Sequence, residues 1–318
     1  MSIRKELAIE ASSLVKHYGD DVIAIKELSL QVQANTICAL LGPNGAGKTS
    51  TISILTTLIE PTAGSAKVAG FDVVRQAGKV RQRIGVTFQE MVLDYDLTGR
   101  QALDYHGRLY RLNTKQRQEN IVDLLRLVEL EDAADRKIKT YSGGMKRRLE
   151  LARGLMTSPE VLFLDEPTTG LDPQNRANIW DYINNLKEQG GLTMLLTTHY
   201  MDEAEALADR VSIIDHGHIV AEGTPRELID QMGADTIRIT GQGDSHSFIK
   251  KVQSLPFVQA IDSSEGLIQI GVDSGNKRLA EILSLTQGSS FTIEDISLTK
   301  PSLGDVFIKY TGRQLRDT

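Results

Sequence analysis

One short stretch, GPNGAGKT at residues 42–49, limits the fold of this chain more than any other feature. It directly follows the apolar run TICALL and directly precedes the helix-like segment KTSTISILTTLI. Because glycine has no Cβ, Gly42, Gly45 and Gly47 permit a tight turn whose successive N–H groups point inward. A strand, such a turn and a helix N-terminus together form an anion site. The stretch therefore predicts an α/β fold in which this turn, here called the phosphate loop, cradles phosphate groups.

The other residues of the phosphate loop indicate a nucleotide that is bound together with Mg²⁺. Lys48 supplies a point charge for the β and γ phosphates, and the hydroxyl of Thr49 is suited to Mg²⁺. Asn44 and Ala46 complete the loop, and we expect them to contact the nucleotide as well. The alternative is a glycine-rich turn with a coincidental lysine, which the strand and helix on either side disfavour.

Two further apolar runs are similar to the one before the phosphate loop, namely VLFLDE at 161–166 and LTMLLTTH at 192–199. Short, nearly unbroken runs are typical of strands that are buried on both faces of a parallel sheet, and helical patterns separate these runs. In such sheets ligands bind at the carboxyl ends of the strands. We therefore expect Asp165, Glu166 and His199 to lie at the same sheet edge as the phosphate loop.

The residues at this edge suggest a division of chemical roles. Neighbouring residues on a strand point to opposite faces, so we assign Asp165 to Mg²⁺ and Glu166 to general base. Alone, the acidic pair would equally suit a helix N-cap; after a phosphate loop it favours catalysis. Gln89, in GVTFQE, follows another apolar run, and its amide can touch both Mg²⁺ and the attacking water. His199 and Lys48 complete the catalytic set.

A second glycine turn, YSGGMKRRLE at residues 141–150, leads into a helix. Ser142 and the N–H groups of Gly143 and Gly144 lie where that helix begins, so they form an anion site that has no lysine of its own. A serine-capped helix with nothing bound is the alternative. We expect the basic residues 146–148 to form a solvated helix face. The net charge of −6 gives no support for nucleic-acid binding.

The rest of the chain predicts a second domain. The pattern changes near residue 231, so we predict domains at 1–231 and 232–318, the second a small α+β unit with the strand–helix–strand order of a split βαβ motif. Cys38 is expected in the core, and His216 and His218 in an exposed turn rather than a metal site. No window approaches 18 consecutive apolar residues, so we expect a cytosolic protein with no membrane span.

Six motifs together resemble those of ABC-type ATPases in order and spacing: GPNGAGKT, TFQE, YSGGM, VLFLDEP, GLDP and TTH. The resemblance covers roughly residues 7–230 and is closest to the ATPase subunits of drug- and lipid-exporting transporters of the daunorubicin-resistance type. It implies the P-loop NTPase fold of an ABC nucleotide-binding domain, with a mainly parallel core sheet and a helical signature subdomain. It also implies ATP hydrolysis.

The resemblance adds residue roles that the pattern alone does not give. Tyr18 would stack on adenine, Ser50 would lie close to the phosphates, and Asp172 would lie along a dimer seam. His199 would contact the γ-phosphate. The signature loop, residues 141–145, would face the γ-phosphate held by a second subunit. Met145 stands where the general family has Gln, which removes a side-chain hydrogen bond to ribose but leaves the backbone anion site.

The resemblance also implies partners. These are transmembrane permease subunits encoded separately and a second ATPase subunit, most simply an identical copy, with the assembly at the cytoplasmic side of the membrane. Segment 90–112 resembles the family's docking surface for the permease.

ABC-type ATPases that move no solute form the alternative class. Chromosome-cohesion and double-strand-break proteins of this class insert long coiled coils between the phosphate loop and the signature loop, but here Ser142 lies only 94 positions after Lys48. Translation factors of this class carry two ATPase units per chain, whereas this chain has one phosphate loop. Iron–sulfur assembly ATPases match YSGGM less well.

Overall fold

A computed structural model of the chain describes residues 6–19, 22–232, 235–264, 267–286 and 291–312. The chain divides into two compact units between Pro225 and Arg226, and each unit is described by itself. The predicted boundary at residue 231 stays a prediction. Among the described residues, no helix combines the length and the apolar character that a membrane crossing requires.

The first unit alternates strands and helices along most of its length. Its strands are β1 (Leu7–Tyr18), β2 (Val22–Gln33), β3 (Ile37–Leu41), β4 (Ala63–Val68), β5 (Phe71–Asp72), β6 (Ile84–Thr87), β7 (Val161–Asp165), β8 (Thr193–Thr198), β9 (Arg210–Asp215) and β10 (His218–Gly223). Its helices are α1 (Lys48–Leu55), α2 (Ala77–Arg81), α3 (Gly99–Leu109), α4 (Thr114–Leu127), α5 (Gly143–Leu155), α6 (Pro173–Glu188) and α7 (Met201–Leu207), with a short 3₁₀ helix at Ile138–Thr140. Helix α8 (Pro225–Asp230) follows.

The central sheet has the order β10-β9-β3-β8-β7-β6, and only the β9–β10 pair is antiparallel. Strands β3, β7 and β8 are buried at every position, which explains their unbroken apolar sequences. The register pairs Leu41 with Thr198 and Asp165 with Thr197. The three strands therefore end at one edge, and the predicted, mainly parallel core sheet is confirmed.

A second, antiparallel sheet has the order β2-β1-β4-β5 and was not predicted. Its long strands alternate buried with exposed residues; in β2, for example, Leu28, Leu30 and Val32 are buried. This alternation is typical of a sheet with one face on the core. A search for unbroken apolar runs misses such strands. The core between the two sheets also includes Ile52 of α1 and Phe163 of β7.

Helices α3, α4 and α5 pack against one another between β6 and β7, and they correspond to the predicted helical signature subdomain. Each begins at a polar residue that accepts a hydrogen bond from a backbone N–H in its first turn: Thr98 from Gln101, Asn113 from Gln116 and Ser142 from Met145. Such caps satisfy N–H groups that have no partner within the helix.

The second unit contains β11 (Asp235–Gly243), α9 (Ser245–Gln253), β12 (Val258–Ser264), β13 (Leu267–Val272), α10 (Gly275–Ser284), β14 (Phe291–Thr299) and α11 (Leu303–Thr311). Its antiparallel sheet has the order β12-β13-β11-β14, as the split βαβ motif requires, so the predicted order of elements is confirmed. Helix α11 was not predicted. Phe248 and Phe291 stack with ring centroids 5.0 Å apart in the core of this unit.

Candidate active site

The phosphate loop joins the end of β3 to the start of α1, as the sequence predicts. Gly45 and Gly47 have φ angles of +81° and +108°, a region that favours glycine. A Cβ on Gly47 would also come within 2.6 Å of the carbonyl oxygen of Ala24, and one on Gly42 would collide with the carbonyl of Ile214. Gly45 is therefore favoured by backbone conformation, Gly42 by the close approach of the backbone, and Gly47 by both.

Lys48 is almost fully buried and lies between the loop and the acidic pair. Its Nζ donates to the carbonyl oxygens of Gly42 (2.8 Å) and Pro43 (3.2 Å) and lies 3.3 Å from Oε1 of Glu166. Burial lowers the pKa of Lys48, and the charges of Glu166 and Asp165 oppose this shift. The lysine thus reaches the sheet edge where both carboxylates lie.

Asp165 and Glu166 have different surroundings at the end of β7. Oδ1 of Asp165 accepts a hydrogen bond of 2.5 Å from Oγ1 of Thr197, on the neighbouring strand β8. Burial raises the pKa of Asp165, and the Thr197 hydrogen bond opposes that rise. Glu166 has a φ angle of +47°, and its N–H donates to the carbonyl oxygen of Thr197 at 3.1 Å. A left-handed conformation at a non-glycine residue is uncommon, and it turns the chain away from the strand after Asp165.

The carboxylate of Glu166 lies between two positively charged or chargeable groups. Its Oε1 faces Lys48, and its Oε2 lies 3.3 Å from Nδ1 of His199 and accepts from Oγ1 of Thr169 at 3.0 Å. Burial raises the pKa of Glu166, but His199, Lys48 and Thr169 together lower it to about 2. The ring of His199 packs on that of Tyr200, with centroids 4.1 Å apart. Glu166 thus lies in direct contact with both of the other predicted residues, Lys48 and His199.

The other predicted residues lie near the phosphate loop or at the same edge of the central sheet. The hydroxyl of Tyr18 lies 3.3 Å from that of Ser50, so the half-exposed Tyr18 ring stands beside the first turn of α1. Thr49 and Asn44 are exposed. Gln89 is exposed two residues beyond Thr87, which pairs with Leu164 in the sheet. Gln89 therefore follows the same edge of the sheet as the acidic pair.

The signature loop forms a separate site. Ser142 caps α5, Gly143 is exposed, and a Cβ on Gly144 would collide with the side chain of Asn175. Oδ1 of Asp172 accepts from the N–H of Asn175 at 2.9 Å and so caps α6. Across the described ranges, no hydrogen bond or ion pair joins residues 142–144 to Lys48 or Glu166.

The prediction of a solvated basic face at residues 146–148 is wrong for Arg147. This side chain is 4% exposed, and its guanidinium donates to the carbonyl oxygens of four residues, Phe88, Asp165, Glu166 and Pro167. Thr197 and Thr169, which hold the acidic pair, were also not predicted. The partners of Arg147 lie in distant segments, and no short pattern in the sequence identifies them.

Three other expectations concern residues outside this site. Cys38 is buried, and burial raises the pKa of its thiol to about 12. His216 and His218 flank Gly217 in the hairpin between β9 and β10, and His216 is exposed. Within the described part of the chain, no group of three or more His, Cys, Asp or Glu residues could hold a metal ion.

Comparisons with known proteins agree with this geometry. A family model described as ABC transporter matches residues 25–169, and one described as the C-terminal domain of ATP-binding proteins similar to DrrA1-3 matches residues 223–311. The daunorubicin resistance ATP-binding protein DrrA3 of Streptomyces coeruleorubidus is 42% identical, over 98% of this chain and 98% of its own. The Nod factor export ATP-binding protein I of Rhizobium meliloti (strain 1021) is 41% identical, over 98% of this chain and 90% of its own.

Solved structures show the same fold. The dimeric structure of a bacterial ABC transporter cassette has 25% sequence identity and a TM-score of 0.62, covering 68% of this chain and 98% of that one. The family predicted from the six motifs, its fold and its ATP hydrolysis are confirmed. The chain therefore belongs to the ABC transporter family, as an ATP-hydrolysing ATP-binding subunit of the daunorubicin-resistance type.

Proposed function

We propose that this subunit pairs with a second ATPase subunit, most simply an identical copy, and that the pair encloses two ATP molecules. Closing and reopening of the pair drive separately encoded transmembrane permease subunits, which export drugs, lipids or other amphipathic compounds. The subunit lies at the cytoplasmic side of the membrane, where the permease holds it. One observation carries the proposal: within the described residues, no hydrogen bond or ion pair joins the phosphate loop at Lys48 to the signature loop at Ser142, the two places that we assign as anion sites.

The first anion site suits the phosphates of ATP. The N–H groups of residues 42–49 and the start of α1 provide hydrogen bonds and a partial positive charge. Lys48 adds a full charge at the same place, and Ser50 lies in the same helical turn. The exposed ring of Tyr18, placed beside Ser50, offers an apolar face for adenine.

The same edge also suits Mg²⁺ that arrives with ATP. Magnesium prefers oxygen ligands and is usually held by one or two carboxylates together with substrate phosphates and water. Asp165 offers one buried carboxylate, held by Thr197, and Thr49 offers an exposed hydroxyl. Gln89 adds an amide oxygen near the end of β6. When bound, the ion neutralises charge on the phosphates.

Glu166 is the best-placed general base. It is buried, ionised, and held by Lys48, His199 and Thr169. A phosphate that takes over Lys48 withdraws one of the charges that keep the pKa of Glu166 low. The carboxylate then becomes a stronger base, and it remains oriented by Thr169 and His199. This exchange links phosphate binding to activation of the attacking water.

The second anion site supports a partner subunit. Ser142 and Gly143 are exposed at the start of α5, where N–H groups and the helix dipole favour an anion. Because this site has no lysine, it can complete a phosphate cage but hardly build one alone. A phosphate held by the loop of another chain supplies the missing charge. The dimeric cassette among the solved structures supports this arrangement.

A groove on the first unit supports the docking of a permease. It has a volume of about 300 Å³ and lies between the ends of β6, α3 and α5. Val92 and Tyr110 line it, and they and two further residues of the same segment, Tyr105 and Leu109, are each at least 45% exposed. They fall within segment 90–112, which resembles the family's docking surface for the permease. An apolar or aromatic segment of a permease loop would cover this surface.

The direction of transport and the class of compound rest on the relatives. One is named for daunorubicin resistance and another for Nod factor export. The first name states resistance to a compound and the second states export, and both proteins match this chain along almost its full length. Export of such compounds is therefore the function that we assign to the permease.

Two measurements test this function. First, Glu166→Gln should lower ATP turnover by about 10²–10⁴-fold, the usual contribution of general acid–base catalysis, while ATP still binds. Turnover at the wild-type rate would show that Glu166 is not the general base. Second, the full chain should co-purify from detergent extracts with a membrane protein that has several spans. Recovery with soluble scaffold proteins alone would favour an ABC-type ATPase that moves no solute.

A further inference from the structure

The guanidinium of Arg147 is buried among backbone carbonyls of the candidate active site. Its Nε donates to Pro167 (2.6 Å), and its Nη1 donates to Phe88 (2.7 Å). Its Nη2 donates to Asp165 (3.1 Å) and Glu166 (2.9 Å). Two segments that are distant in sequence therefore meet on one side chain. One of them ends next to Gln89, and the other carries the acidic pair.

Arginine suits this position for a geometric reason. Its guanidinium is planar and carries five N–H donors in a fixed fork, so it sets the positions of several acceptors at once. Lysine has a similar charge but no planar fork. The carbonyls that Arg147 holds belong to Asp165 and Glu166 themselves and to the residue before Gln89. Their position therefore affects where these side chains leave the backbone.

A second arginine of α5, Arg153, binds the backbone on the other side of Gln89 from Phe88. Nη1 of Arg153 donates to the carbonyl oxygen of Val92 at 2.7 Å. Between the two arginines, Glu150 is 1% exposed and its Oε2 lies 2.7 Å from Nη2 of Arg153. Residues 147, 150 and 153 lie three apart and so share one face of the helix. The two arginines bind backbone on both sides of Gln89, with a buried carboxylate between them.

The same helix begins with the signature loop, five residues before Arg147. We propose that Arg147, assisted by Arg153, is a positioning residue. It fixes Gln89 and Glu166, which act at this chain's own phosphate loop, to helix α5, whose start faces the nucleotide held by the second subunit. This inference rests on the roles proposed above for Gln89, Glu166 and Ser142. Helix α5 then links the phosphate-loop site and the signature loop within one chain.

A purely structural role makes a different prediction. A residue that only stabilises the fold changes the amount of folded protein, whereas kcat per folded molecule stays the same. A positioning residue changes kcat, because misplaced groups bind substrate but stabilise the transition state poorly. If α5 links the two sites, the signature loop of an Arg147 variant should also respond less to bound nucleotide. This response is measured as the nucleotide-driven pairing of subunits.

The experiment compares Arg147→Lys and Arg147→Gln with Arg148→Gln in the full chain. Arg148 is the next residue and has the same charge, but it donates to Val128 (3.0 Å) and Tyr182 (2.9 Å), away from the acidic pair. We expect both Arg147 variants to lose about 10- to 100-fold in kcat, as is usual when a supporting hydrogen bond at a metal site is removed. We expect the KM for ATP to stay within about twofold, and Arg148→Gln to retain the wild-type kcat.

Pairing is measured by sedimentation with a non-hydrolysable ATP analogue. The Arg147 variants should need several times more analogue than the wild type or Arg148→Gln to form the pair, while the affinity of the single subunit for the analogue is unchanged. If the Arg147 variants match Arg148→Gln in both kcat and pairing, the inference is wrong. If they fail to fold, Arg153→Gln decides, because it releases the carbonyl of Val92 and the carboxylate of Glu150 but leaves Arg147 in place. It should lower kcat in the same direction, and a wild-type kcat would then overturn the inference.

Glu166→Gln is measured in parallel. If it turns over ATP normally, the proposed function of the site is wrong, whatever the Arg147 variants do. If it is inactive while the Arg147 and Arg153 variants are normal, only the inference about α5 is wrong.

Discussion

The hydrogen bond between Thr197 and Asp165 offers a sharp test of how the acidic pair is held. Thr197 and Asp165 are 0% and 2% exposed, and the hydroxyl donates to the carboxylate at 2.5 Å. Thr197→Val has nearly the same shape but lacks this donor. It also lacks the Oγ1 that accepts from the N–H of Glu166 at 3.1 Å, although the carbonyl oxygen of Thr197 still accepts from the same N–H. A hydrogen bond to a charged group contributes about 1.5–3 kcal/mol, so we expect the free energy of unfolding to fall by about that amount.

The loss should also weaken Mg²⁺ binding by Asp165. Burial already raises the pKa of this carboxyl and the Thr197 hydroxyl counteracts that rise, so its removal favours the protonated form further. We expect the Mg²⁺ concentration for half-maximal ATPase activity to rise by about tenfold, the lower end for lost supporting bonds at metal sites. The increase should be larger at lower pH, where protons compete better for Asp165.

The assay is urea unfolding followed by tryptophan fluorescence, together with a Mg²⁺ titration of ATPase activity. The sequence has one tryptophan, Trp180 in α6, so fluorescence reports on the first unit. Thr197→Ser is the control, because it keeps the hydroxyl and loses only a methyl group. If Thr197→Val behaves like the wild type in both measurements, or if Thr197→Ser is equally impaired, the hydrogen bond does not hold Asp165.

Three further outcomes are expected. Burial and the charge of Arg153 lower the pKa of His106 from 6.5 to about 4, so the unfolded chain binds more protons than the folded chain between these pH values. The free energy of unfolding should therefore fall by up to about 3 kcal/mol as the pH drops from 6.5 to 4. Urea titrations of His106→Gln should show a weaker dependence on pH. The buried Cys38 thiol, with its pKa raised to about 12, should resist a thiol reagent at pH 8 and react once the chain is unfolded; rapid reaction of the native protein would contradict its burial. Gly144→Ala should displace Asn175 and lower ATPase activity by at least about tenfold while single-subunit ATP binding is unchanged, and normal activity would show that this contact tolerates a methyl group.

Much of the site could be predicted because its residues follow strands that have a plain sequence signature. Each unbroken apolar run ends in a polar group, and parallel strands bring those groups to one edge. Glu166 and His199 are in contact for this reason, although they lie in different runs. The conformation of Glu166 could not be predicted, because its positive φ is set by hydrogen bonds to Thr197 on the neighbouring strand.

The features that were missed depend on weaker or non-local signals. The antiparallel sheet of β1, β2, β4 and β5 alternates in burial, so it contains no unbroken apolar run. Helix α11 did have a signal, since Ser302 and Asp305 form a capping box before an amphipathic segment. Arg147 had none, because an arginine in a basic run normally points to solvent. Its burial depends on carbonyls contributed by Phe88 and by residues 165–167.

The claim that each nucleotide site needs a second subunit can be tested by mixing two inactive chains. One chain carries Lys48→Ala and Glu166→Gln with an intact signature loop, and the other carries Ser142→Arg with an intact phosphate loop. A mixed pair contains one site built from the two intact halves, so ATPase activity should rise well above that of either chain alone. If the mixture is no more active than its separate components, each chain does not complete the site of its partner, and the account is wrong.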